Sequence, residues 1–182
     1  ELWSTQPTVN QGFSMTAVFG NTWGNGTGQD YLNIATARGD DVSRAAIAVT
    51  PDDVNPWEDE IYVNGDELND GQEHHYVLTI DGTNLAYYID GVLQGTSSLA
   101  GASLSDVSNA VAYLARGVYA GDGTLNCSIN EFRIHDTALT GPQVQDSYLW
   151  GPDSVTEPVV EITESDGQTL LFSGNPSLVD DY

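Results

Sequence analysis

Two Asp-Gly dipeptides, Asp81-Gly82 and Asp90-Gly91, separate three short apolar runs, and no other feature constrains the fold of this chain as much. Asp-Gly favours the mirror-image turns that match the twist of paired strands. His75–Ile80 and Leu85–Ile89 therefore read as neighbours in a hairpin, and Val92–Gln94 continues it to Gly95. The same grammar extends along the chain. Phe13–Phe19 alternates and ends at Gly20; Tyr31–Ala37 and Ala45–Thr50 are apolar runs bounded by Gly, Asp and Pro. Glu60–Val63 runs into Asn64-Gly65, which reads as a turn, and Val111–Leu114 and Cys127–Ile134 complete the set. Short strands separated by turns predict an all-β sandwich or barrel.

One helix is expected. Thr140-Gly141-Pro142-Gln143 carries a capping box with proline in the first turn, which predicts a helix over 140–149 that stops before Gly151-Pro152. Trp150, Phe132, Leu139 and Tyr148 are expected to be shielded where that helix packs on a sheet. Pro152–Pro158 reads as a linker, and Val159–Ile162 and Thr169–Phe172 as two further strands about a turn at Asp166-Gly167. The domain division is a sandwich over 1–151, with its core in 12–150, and a tail over 152–182 that docks on the sandwich or leads to a next module.

The charge is one-sided. Twenty-seven acidic side chains face four arginines and no lysine, for a formal net charge of -23 over 182 residues. Such a surface repels itself and disfavours the compact state, and screening shortens that repulsion to roughly 3 Å at molar salt. The composition points to a halophile, or a virus that infects one; the alternative is an acidic secreted protein of a marine organism. Nucleic acid is excluded as a partner, because there is no basic patch to neutralise phosphates. No apolar run reaches the roughly 20 residues of a membrane-spanning helix, so membrane insertion is not expected. No signal peptide is visible, and the start at Glu1 fits a mature form or a fragment. Cys127 is the single cysteine and cannot form an internal disulfide.

Two stretches resemble a known family. Gly71–Gly82 (GQEHHYVLTIDG) followed by Ala86–Gly95 (AYYIDGVLQG) is similar to the paired strand and hairpin of the laminin G-like, concanavalin A-like lectin/glucanase group. Tyr113–Arg116 and then Ile129–Thr140 (INEFRIHDTALT) resemble the closing segment of that group. The match runs over roughly 12–150 and implies a jelly-roll sandwich of two antiparallel sheets. Glu73, Cys127 and Asn130 depart from the residues usual at their positions. The family's first strand looks short or missing before Phe13; it lies upstream, or the C-terminal tail fills the edge.

The resemblance also implies candidate sites. In laminin G-like relatives a calcium ion sits at one rim, held by an Asp ahead of a strand like Gln29-Asp30-Tyr31-Leu32, which puts Asp30 first. By position the second ligand is Asp106, or Asn109 if the register slips, with backbone carbonyls near Val49 and Thr50 completing a Ca2+ shell. The competing reading makes Asp30 and Asp106 two more surface acids. A sugar site needs aromatic faces and a few orienting polar groups. Trp23 and Asn25 in a Gly-rich loop, Trp57 after Asn55-Pro56, and Tyr119 beside Gly121-Asp122-Gly123 supply them, with Asp122 among the polar groups. Asn25 and Asn126 fit the N-glycosylation acceptor pattern.

For catalysis, Glu58 and Glu60 are the one candidate carboxylate pair, and both would lie on one face of a strand; a solvated acidic turn is the competing reading. His74 and His75 should point to opposite faces, one buried or capped, and His135 to the surface. The leading expectation is a non-catalytic recognition or adhesion module, secreted or displayed on a cell or virion surface, that binds a glycan or glycoprotein through rim loops. The alternatives are a spacer or assembly domain of a surface fibre, pilus or virion, held among neighbouring domains or subunits, and an accessory or degenerate glycosidase.

Overall fold

The computed structural model describes residues 1–5, 15–38, 42–49, 56–153, 160–163 and 169–172. In chain order the strands are β1 (Leu2–Thr5), β2 (Ala17–Thr22), β3 (Gly28–Ala35), β4 (Val42–Ala48), β5 (Ile61–Asp66), β6 (Glu73–Ile80), β7 (Asn84–Ile89), β8 (Val92–Ser98), β9 (Val111–Leu114) and β10 (Ser128–Phe132). Short 3-10 turns lie at Pro56–Glu58 and Leu104–Asp106, and helix α1 spans Gly141–Trp150. Among the described residues these strands form two five-stranded antiparallel sheets, ordered β10-β1-β6-β7-β8 and β5-β4-β3-β2-β9. This is the expected all-β jelly-roll sandwich with one helix. A separate compact unit, Asp153–Tyr182, contains the antiparallel hairpin β11 (Val160–Thr163) and β12 (Thr169–Phe172).

The Asp-Gly punctuation does what it predicts: β6, β7 and β8 form a meander, with Tyr76 opposite Ile89 and Tyr87 opposite Gly95. Asp81 holds its turn through its carboxylate, which accepts from the Thr83 and Asn84 N–H groups at 2.8 and 2.7 Å. The Asn64-Gly65 signal does not make a turn. Asn64 and Gly65 lie inside β5, opposite Arg44 and Ser43. A Cβ on Gly65 would stand 2.9 Å from the Tyr87 ring and from Ile89, so this glycine admits side chains of the facing sheet rather than making a turn.

The supposedly missing first strand is present and central. β1 lies between β10 and β6, with Leu2 opposite both Phe132 and Tyr76. Four residues are too few to show a period, which is why the pattern began at Phe13. Of that run, β2 takes up only Ala17–Phe19, and Phe13 and Ser14 lie outside the described residues.

Period-two alternation builds the interior. Ile34 of β3, Ala45 and Ile47 of β4 and Val63 of β5 point inward and meet Leu2, Tyr76, Leu85, Tyr87 and Ile89 of the other sheet. Full burial of Leu2, Ile47 and Leu85 contributes about 1.5–3 kcal/mol each. The buried His75 ring stacks on Trp3 at 4.4 Å between centroids and on Tyr148 at 6.2 Å, tying β1, β6 and α1 together. His74 faces the other way and bonds Asp90 and Asp70, as the strand period requires.

Helix α1 begins as its sequence dictates: the Gln143 carbonyl reaches back to accept from the Thr140 N–H at 2.9 Å. Val144 and Ser147 are its buried face, with Tyr148 half-buried beside them. Trp150, expected in the core, is 56% exposed. Trp150 is the last residue of the helix, and at about 100° per residue it lies about 60° from Ser147 and about 120° from Val144, at the margin of the buried face. Phe132 and Leu139 are half-buried.

Candidate functional site

The outward face of the β5-β4-β3-β2-β9 sheet carries Tyr31, Asn33 and Ala35 of β3, the residues that alternate with inward-facing Leu32 and Ile34. Across β4 they pair with Ala48, Ala46 and Arg44. Ala35, Ala46 and Ala48 are small where their neighbours are large, so the face is hollowed. The resulting cavity has a volume of about 380 Å³. Asn33 and Ala35 line it from the sheet, Met15 from the segment before β2, Trp57 from the 3-10 turn, and Tyr119 and Asp122 from the loop after β9. Met15, Val18, Tyr31, Ala48 and Val118 form a second small core that supports this face.

A buried polar network braces the cavity. The Tyr31 hydroxyl donates to Glu60 Oε1 at 2.6 Å, and Arg44 Nη1 donates to Glu60 Oε2 at 2.7 Å. Arg44 Nε donates to Asn64 Oδ1 at 2.9 Å, and the guanidinium lies 3.8 Å over the Tyr62 ring. The Tyr31 and Tyr119 hydroxyls are 3.2 Å apart. Burial and the nearby Glu60 carboxylate push the Tyr31 phenol far above its ordinary range; burial pushes Tyr119 up to about 12. Both are neutral donors at any physiological pH. Burial alone pushes Asp122 up to about 6.

Three residues singled out from sequence, Trp57, Tyr119 and Asp122, meet at this cavity. Gly28 permits it: a Cβ there would stand 2.7 Å from the Tyr119 ring. Trp23 and Asn25 do not line the cavity. They form a tight turn beside it, in which Gly26 N–H donates to the Trp23 carbonyl at 2.8 Å and Asn25 Oδ1 accepts from Thr27 N–H at 3.0 Å. Ala120 N–H donates to the Gly26 carbonyl at 2.8 Å, joining that turn to the Tyr119 loop. Asn25 and Asn126 are both exposed, as a glycan acceptor must be.

Of the candidate calcium ligands, Asp30 belongs to β3 and its carbonyl accepts from Ser108 N–H at 2.8 Å, which brings the segment after Asp106 against it. Asp106 uses Oδ2 to accept from the Ser103 N–H and hydroxyl, both at 2.9 Å, and keeps Oδ1 outside any hydrogen bond among the described residues. Asn109 lines a different cleft of about 390 Å³, between the inner sheet faces. Val49 follows β4, and Thr50 lies outside the described residues.

Glu58 and Glu60 do not share a strand. Glu58 closes the 3-10 turn and is exposed, whereas Glu60 precedes β5 and is shielded in the Arg44 pair. Sequence reading missed Tyr31, Asn33 and Arg44, because strand-interior residues look like ordinary sheet until their neighbours are known. It also missed a second polar cluster. The buried Glu1 carboxylate accepts from Arg133 Nη1 at 3.2 Å and from the Ser147 hydroxyl, and lies 3.1 Å from His75 Nε2 and 2.6 Å from His135 Nε2. Burial raises the Glu1 pKa, but its hydrogen bonds with His75, Ser147 and His135 outweigh that and hold it far below the usual carboxylate range.

Two five-stranded antiparallel sheets, one with a hollowed and polar-lined outer face, define a jelly-roll sandwich. Over residues 1–145 the sequence matches the model of the concanavalin A-like lectin/glucanases superfamily, and the chain belongs to it. No curated protein matches the chain. Among solved structures it is similar to an S-layer domain-containing protein (residues 221-444) from Clostridium thermocellum, at 22% identity and a TM-score of 0.33, over 71% of this chain and 59% of that one.

Proposed function

We propose that this chain is a non-catalytic recognition module that takes up a glycan in the cavity on the outer face of the β5–β9 sheet. The observation that carries the reading is the composition of that cavity. An indole 56% exposed at its wall, a tyrosine and an apolar floor suit the C–H faces of a sugar ring, and Asn33 and Asp122 stand ready to orient hydroxyls. Membership of a superfamily that includes lectins supports it. Glu60 has both oxygens engaged, by Tyr31 and Arg44, and so acts as a brace. The same reading places the protein outside the cell, secreted or displayed on a cell or virion surface, with a glycan or glycoprotein as partner and neighbouring domains alongside. Calcium belongs to the proposal as a rim ion shared by Asp30 and the free oxygen of Asp106. A glycan array in high salt tests recognition: binding that falls at least tenfold in Trp57→Ala supports it, and no binding on any array overturns it.

Glycoside hydrolysis is a second reading, drawn from one observation. Asp122, pushed up to about 6, and the ion-paired Glu60 share a cavity, and a glycosidase needs one carboxyl protonated and another ionised. Turnover of β-glucans that disappears in Asp122→Asn and in Glu60→Gln would establish it; no turnover by the parent protein removes it.

A further inference from the structure

We infer that the cavity is built for a ligand that donates hydrogen bonds and carries positive charge, so that its preferred occupant among glycans is an amino sugar. The inference rests on the glycan reading of the same cavity and adds the chemical class of the ligand.

The polar atoms that remain unpaired in the cavity set the chemistry of its ligand. Arg44 and Glu60 satisfy each other, Tyr31 donates to Glu60, and the Tyr119 hydroxyl meets that of Tyr31. Arg38, which also lines the cavity, has an interaction of its own. Three polar groups are left: one donor, the buried Arg38 Nε–H, and two acceptors. Asn33 is 3% exposed and its Oδ1 has no partner among the described residues. A buried carbonyl left unpaired costs about 1–3 kcal/mol, a debt that a donor from a ligand cancels. The Asp122 carboxyl is half-buried, with no ion pair or side-chain hydrogen bond among the described residues. The acceptors outnumber the donor, so the ligand brings N–H or O–H groups to Asn33 and Asp122 and one acceptor, such as a hydroxyl or ring oxygen, to Arg38.

An ammonium brings three donors and a charge. It answers the ionised Asp122 in a site that withholds water from it, and Trp57 offers the face of an indole to the same cation. A uronate would set a third anion beside Asp122 and Glu60, on a protein already at -23. The charged and titratable groups around Asp122 are Tyr119 and Arg116 of its own loop region, Tyr31 of β3, Arg38 beyond β3, Arg44 of β4, and Glu60. The arginines keep their charge throughout, Arg44 paired with Glu60, and the tyrosines stay neutral. Asp122 is thus the group that changes charge between mildly acid and neutral solution, and amine preference should follow it.

The test is an NMR titration at fixed salt with the methyl glycosides of glucosamine, glucose and glucuronic acid. At about pH 7 the amine should bind about tenfold more tightly than the neutral sugar, the worth of one charged hydrogen bond, and the uronate most weakly. The preference should shrink at about pH 5, where the carboxyl is largely protonated, and vanish on N-acetylation. Asp122→Asn should bring the ratio of amine to neutral-sugar affinity to about one, whatever it does to the two affinities together. Equal or tighter uronate binding at about pH 7, or an amine preference that survives Asp122→Asn, overturns the inference and leaves the glycan reading standing. No shift at the cavity with any of the three overturns both.

Discussion

Replacing Glu60 by Gln should be among the most damaging single changes outside the sandwich interior. The Arg44 and Glu60 side chains are 13% and 8% exposed, so the pair is screened little by salt. Removing one partner of such a pair leaves an uncompensated buried charge, at a cost of about 3–5 kcal/mol. Arg44 keeps its bond to Asn64 and its place over the Tyr62 ring, so the lower end applies, about 3 kcal/mol. For a unit of this size that lowers the melting midpoint by roughly 6–12 °C. Replacing both partners by apolar residues, Glu60→Leu with Arg44→Met, should return stability to within about 1 kcal/mol of the parent, because no charge is then stranded and Tyr31 still meets Tyr119. A double-mutant cycle by denaturant unfolding in molar salt measures both numbers. Additive single effects, or a Glu60→Gln protein within about 0.5 kcal/mol of the parent, would refute the claim that this pair braces the cavity.

The net charge of -23 predicts a melting midpoint that rises steeply from dilute buffer to molar salt; a flat profile would mean that self-repulsion is not limiting. Burial lowers the His74 pKa, but the hydrogen bonds to Asp90 and Asp70 outweigh it and raise the value, so His74 contributes stability that is full below about pH 6.5 and fades as pH rises through the raised value. The stability difference between the parent and His74→Gln should shrink accordingly between about pH 6 and pH 9. Glu1 has the opposite sign: its lowered pKa gives stability present above the usual carboxylate range and lost as pH falls below it, and Glu1→Gln should remove that acid-side loss. Calcium at fixed ionic strength should raise the melting midpoint of the parent but not of Asp30→Ala, with Asp166→Ala as the unaffected control.

The sandwich was legible where strands alternate and turns are marked, as from His75 to Gln94, because period and turn chemistry are local properties. It was illegible where one residue type serves two purposes. Gly65 looks like a turn glycine and is a close-approach glycine, and only the Tyr87 ring across the sheet tells the two apart. Leu2–Thr5 is too short to show its period, yet it fills the middle of a sheet. The cavity divides in the same way. Trp57, Tyr119 and Asp122 stood out as aromatic and acidic residues in turn-rich segments. Asn33 and Arg44 sit inside strands, and their significance arises from the pairing of β3, β4 and β5, which no local window contains. Glu60 was visible only as one acid in a run, and its shielding by Arg44 and Tyr31 is a tertiary fact.

The most direct test of the account is to locate a bound sugar. Amide and indole shift mapping, with the tightest array ligand titrated into the parent protein in high salt, should place the largest changes at Trp57, Asn33, Tyr119 and Asp122, and Trp57→Ala should abolish them. Changes confined to the Trp23–Thr27 turn, or to the cleft between the sheets around Asn109 and Phe132, would contradict it.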